Sequence, residues 1–125
     1  MSLPKIYWTK TPTRTYNPNL TQQYIIGRQL SVSNSSGSYT DVYDLTFACS
    51  LIRFAVESSG SQNGDYYGVS GSDWILSESI YCKGVPQIFN LEIGRNISSG
   101  SSVILNFYNS TNTEKVVWVD YYFIR

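Results

Sequence analysis

The side chains able to do chemistry in this sequence are few and scattered. There is no histidine among its 125 residues, so the usual general base and the triads built on imidazole are missing. Glu78, Glu92 and Asp120 sit in strand-like segments and are the carboxylates that a paired-acid hydrolysis of glycosides would need. Each fits a solvated strand face equally well, and nothing in their spacing ties two of them together. Cys49 lies in the apolar run TFACSL with no base beside it, which reads as a core thiol rather than a nucleophile. Cys82 is the only other cysteine, and without histidine the two do not make a zinc site. Two free thiols and a Cys49–Cys82 disulfide remain alternatives; the bridge would contribute roughly 4 kcal/mol by closing a long loop. The expectation is a non-enzymatic chain with no metal and no cofactor.

Binding chemistry is better represented. The stretch SSGSQNGDYYGVSGSDW, from Ser58 to Trp74, has no apolar periodicity and combines four glycines with adjacent tyrosines and a tryptophan. Tyrosine and tryptophan give large rigid contact area at small entropic cost, and Ser, Gly and Asn adapt their hydrogen bonds. Read as a binding loop, Tyr66, Tyr67 and Trp74 stack on sugar faces while Asn63, Asp65 and Asp73 bond hydroxyls. The same aromatics would serve as anchors of a protein–protein contact. A third reading folds the tyrosines back onto the body of the domain.

The elements that must position this stretch are strands. Period-two patterns dominate, and no segment sustains a helical repeat. Leu45, Phe47, Cys49 and Leu51 share one face, and Ile52, Phe54 and Val56 continue out of phase, which predicts a β-bulge near Leu51–Ile52. Trp74, Leu76, Ile80 and Cys82 fall on one side of another segment. Phe89, Leu91 and Ile93 point inward on the next, with Asn90 and Glu92 outward, and Val103, Leu105 and Phe107 repeat the pattern. The final run EKVVWVDYYFIR is so apolar that it reads as a central strand covered on both faces. Turn chemistry separates these runs in NSSGS, KGVP, NISSGSS and NSTNT. The fold class is therefore all-β: a single β-sandwich or jelly roll of roughly seven to nine antiparallel strands. It spans residues 20–125. Residues 1–19, with three prolines among threonines and aromatics, read as an extended N-terminal arm whose Tyr7, Trp8 and Tyr16 contact a neighbouring subunit.

Composition narrows the partners. Nine basic and nine acidic residues cancel, and the arginines are dispersed, so there is no electrostatic footprint for nucleic acid. Charged residues are 14% of the chain, against roughly 25% in average soluble domains. No stretch approaches the 18 or so apolar residues of a membrane helix, and membrane insertion is not expected. The first twenty residues hold no secretory apolar run. Asn19, Asn34, Asn96 and Asn109 begin glycosylation-type triplets, a frequent coincidence in so Ser/Thr-rich a chain.

The closing VVWVDYYFIR resembles the last strand of galactose-binding-like and carbohydrate-binding-module jelly rolls, and the preceding IGRNISSGSSVILNFYN resembles their penultimate strand and turn. In such families the closing aspartate helps hold a structural calcium with a glutamate of the first strand. Asp120 takes the matching place, but no acidic residue precedes Asp41, so no calcium is assigned. The overall composition, with Tyr, Ser, Thr and Asn in place of Lys and Glu, is similar to that of virion proteins of archaeal viruses. The expected function is a virion structural subunit at the particle surface, in contact with copies of itself or other virion proteins and with host-surface glycans. On this reading the loop from Gly60 to Asp73 touches host or neighbour. The alternative is a carbohydrate-binding module or lectin.

Overall fold

Strands form here where β-branched and aromatic residues alternate with small polar ones, and they stop at Gly- and Ser-rich punctuation. The computed structural model describes residues 22–71 and 74–125. Among these residues there are eight strands and no helix: β1 (Gln23–Val32), β2 (Gly37–Asp44), β3 (Cys49–Ser58), β4 (Tyr66–Ser70), β5 (Ile75–Ser79), β6 (Gln87–Ile97), β7 (Ser102–Asn109) and β8 (Lys115–Ile124). The rule is plain in β7, where Val103, Leu105 and Phe107 are buried and Asn106 between them is exposed.

Pairing is nested. β1 pairs with β8, β2 with β7, β3 with β6 and β4 with β5, all antiparallel. Two further ladders, β3–β8 and β4–β7, complete two four-stranded sheets. The orders are β1-β8-β3-β6 in the first sheet and β2-β7-β4-β5 in the second. A long hairpin doubled on itself and wrapped into two sheets is the jelly roll, one of the ways an antiparallel chain limits exposed edges. Gln22 and Arg125 exchange backbone hydrogen bonds and so extend the β1–β8 ladder by one pair.

The inward rows of the two sheets interdigitate. Phe54 of β3 stacks on Phe89 of β6 at 5.4 Å and meets Tyr67 of β4, in the other sheet, edge-on at 6.3 Å. Offset-stacked and edge-on contacts suit the quadrupole of aromatic rings, adding to the roughly 1.5–3 kcal/mol from burying each side chain. At the open end, Arg28 of β1 reaches across to Asp41 of β2 through two bonds of 3.0 and 3.1 Å, tying the sheets together. The bulge expected near Leu51–Ile52 is present: the ladders of β3 to both neighbours slip between Leu51 and Arg53. Opposite the slip, Gly94 of β6 adopts a φ of 79°, a conformation that costs glycine little.

Two expectations are corrected. The Ser58–Trp74 stretch is not one loop, because β4 runs through its middle and pairs on both sides. Its Gly68 and Ser70 are small outward residues of a strand whose inward residues, Tyr67 and Val69, are buried, and so few apolar positions leave the period invisible. The closing strand is central, as expected, but within the monomer only one of its faces is covered. Val117, Val119, Tyr121 and Phe123 are buried, whereas Trp118 and Asp120 on the other side are exposed.

Candidate functional site

The residues foreseen as one binding loop are divided among different environments. Asp65 is fully buried, where its carboxylate accepts two bonds from Lys115 Nζ at 2.7 and 2.9 Å. It also accepts from the Ser110 hydroxyl at 2.7 Å, the Ser110 backbone at 2.9 Å and the Gln62 backbone at 2.8 Å. Burial alone would push its pKa up, but these donors together hold the carboxyl below its ordinary range. Asp65 is thus a clasp joining the β3–β4 and β7–β8 connections, and it is not displayed to a ligand. Tyr67 is 2% exposed, and burial together with Glu78 pushes its phenol up to about 12. Trp74 is buried against Gly71, where a Cβ would lie 2.5 Å from the indole nitrogen. Asn63 is exposed, Tyr66 is 48% exposed, and Asp73 falls outside the described residues.

Cys49 and Cys82 are both free thiols, which corrects the bridged alternative. Cys49 opens β3, whereas Cys82 adjoins Lys83, which bridges to Ser58 at the far end of that strand. Nine steps of extended chain span about 30 Å, while a disulfide needs Cα atoms within about 7 Å. Burial raises the Cys49 thiol above its ordinary pKa, so it is also a poor nucleophile. The arm residues Tyr7, Trp8 and Tyr16 lie outside the described residues.

The exposed sheet faces offer more. On the first sheet, register aligns Ile25, Tyr122, Arg53 and Asn90 in one row. Gly27, Asp120, Ala55 and Ile88 form the next, and Gln29, Trp118 and Glu57 the third. Ile25 and Ile88 are each 61% exposed and Trp118 is 41% exposed. The Arg53 guanidinium lies 4.1 Å from the centre of the Tyr122 ring. Beside it a shallow cleft of about 200 Å³ is lined by Ile25, Arg53, Asn90 and Tyr122. Asp120 stands between Trp118 and Tyr122 with small neighbours on both sides, and a Cβ on Gly27 would come within 3.1 Å of its carboxylate.

On the second sheet the outward rows are of another kind. Tyr66 and Tyr108 stack across β4 and β7, 5.0 Å apart and 19° from parallel. The adjacent row is Thr40, Asn106, Gly68 and Ser77, and beyond it lie Ile104, Ser70 and Ile75. The result is a trough of about 140 Å³ with small residues at its base.

Of the sequence candidates, Tyr66 lies on the second of these faces and Asp120 on the first. Trp118, Tyr122, Arg53 and Asn106 were not singled out. The signal that could have found them is the parity of Asp120: a carboxylate in the middle of an apolar run marks an outward row, and Trp118 and Tyr122 share it. Among the described residues no cluster of three potential metal ligands exists.

The family description that matches is Domain of unknown function (DUF8551), over residues 20–125. No curated protein matches the chain.

Proposed function

Since the chain belongs to the DUF8551 family, a domain of unknown function, we propose from its own surfaces that it is a non-enzymatic structural subunit of a virus particle. The observation that carries the reading is the outer row of β8. Its composition is that of a strand covered on both sides, yet Trp118 is 41% exposed, with Ile25 and Ile88 at 61% on neighbouring strands. Leaving such surface in water forgoes roughly 25 cal/mol per Å², and packing against a neighbouring subunit recovers it. Tryptophan, tyrosine and arginine are the residues that dominate binding energy at protein interfaces, and Trp118, Tyr122 and Arg53 stand together here. Asp120, Glu57 and Arg53 supply polar contacts that fix the register of a docked partner.

The virion part of the reading rests on the jelly roll, which viral shells share with lectins, and on the low charge of the chain. A fold hosts many functions, so the test is made on assembly and on particles. In sedimentation of the full chain, the wild type is expected to form discrete oligomers. Trp118→Glu should disperse them to monomers with an unchanged melting temperature. A wild type that stays monomeric at high concentration sinks the assembly reading. Mass spectrometry of purified particles addresses the rest: absence of the chain from them removes the virion assignment.

A further inference from the structure

We infer that the trough on the outer face of the second sheet is a binding site for a neutral oligosaccharide. The inference is independent of the assembly reading, because it uses the opposite face of the sandwich.

The base of the trough is formed by Asn106, Gly68 and Ser77 on neighbouring strands, with Thr40 of β2 next to Asn106 in the same row. Tyr66 and Tyr108 form one wall. Ser70 and Ile75 form the other, four residues further along the strands, or about 13 Å away. Gly68 makes the depression. Its backbone is not in the left-handed region, so glycine is not needed there for conformation. A Cβ would instead sit 3.3 Å from both the Ser77 hydroxyl and the Leu76 carbonyl, closing the base.

Three observations select the ligand class. First, no residue of the base or of either wall carries a charge, so an ionic ligand finds no counter-ion. Second, β4 and β7 are interior strands with ladders on both sides. A ligand lying over these two strands therefore finds no free backbone to pair with, and recognition there falls to side chains. Third, the available side chains are hydroxyls, one amide and rings. The Thr40 hydroxyl donates to Asn106 Oδ1 at 2.8 Å, which leaves the amide NH2 for an incoming acceptor. Tyr66 is held upright by Tyr108 on one side, has only Ser79 as its neighbour on β5, and remains 48% exposed. Hydroxyls and an amide beside an exposed ring match the two faces of a pyranose, polar at its edge and apolar across its C–H face. The tryptophan and arginine expected of a protein interface are absent here and lie on the other sheet.

The test uses the full chain with neutral hexasaccharides of glucose, mannose and N-acetylglucosamine, and with sialyllactose and a heparin oligosaccharide as charged comparators. Backbone amide shifts are recorded during titration. At least one neutral oligosaccharide should bind, with shifts centred on Gly68, Ser77 and Asn106. Tyr66→Ala and Asn106→Ala should each weaken it by about tenfold. Gly68→Val should abolish binding, with the β-sheet spectrum retained. Binding by the charged comparators alone, shifts centred on the Trp118 face, or no neutral ligand bound at millimolar concentration would each overturn the inference. So would a fall in oligomer size on Gly68→Val, which would make the trough a contact between copies. Trp118→Glu, which tests assembly, should leave sugar binding intact.

Discussion

Tyr66 and Tyr67 are adjacent in sequence and lie on opposite sides of the second sheet. Tyr66 stacks on Tyr108 in the solvent-facing row, and Tyr67 meets Phe54 edge-on in the core. Single substitutions should separate them. Tyr67→Ala should cost about 3–5 kcal/mol, the range for removing a large aromatic from a core. Tyr66→Ala should cost about 1 kcal/mol or less. Chemical denaturation of both variants measures this, and equal losses would contradict the placement.

The Asp65–Lys115 pair should show the asymmetry of buried charges. Asp65→Asn leaves the Lys115 ammonium without its counter-charge and should destabilise by about 3–5 kcal/mol near neutral pH. Because the folded carboxyl has a lowered pKa, its contribution is complete above the ordinary value of 3.8 and is lost as pH falls through the folded one. The gap in stability between wild type and Asp65→Asn should therefore narrow below about pH 4. A gap constant down to strong acid would refute the clasp.

Alkali should act through Tyr67. Its phenol is raised from 10.0 to about 12, so the fold favours the neutral form. That contribution is complete below pH 10 and disappears as pH rises towards 12. The melting temperature of the wild type should fall across this window more steeply than that of Tyr67→Phe. Parallel curves would show that Tyr67 ionises freely.

The thiols should differ in native protein. Cys82 is half-buried and should react with a maleimide, whereas Cys49 is buried and should react only after unfolding. Mild oxidation should leave the intramolecular mass unchanged, since the two lie at opposite ends of β3. A mass two hydrogens lighter would show a bridge.

The β-fold, the bulge at Leu51–Arg53 and the inward row Val103, Leu105 and Phe107 were legible because alternation is local and strict in those segments. β4 was hidden because only Tyr67 and Val69 of its five residues face the core. The clasp at Asp65 was also hidden, since Lys115 is fifty positions away and nothing local marks either residue for burial. The two faces were the hardest to foresee. Each is assembled across four strands, so Trp118, Arg53 and Ile88 become neighbours only once the ladders are known.

The nested ladders also set an order of events for a chain emerging from the ribosome. β4 and β5 can meet as soon as both are made, and β3 finds β6 soon afterwards. β1 is the first of the eight described strands to be made, yet its partner β8 is the last of them. Contacts this distant in sequence are slow to form, and an unpaired strand invites aggregation while it waits. During synthesis β1 therefore stays without its partner until β8 has been made, and only then can the first sheet close.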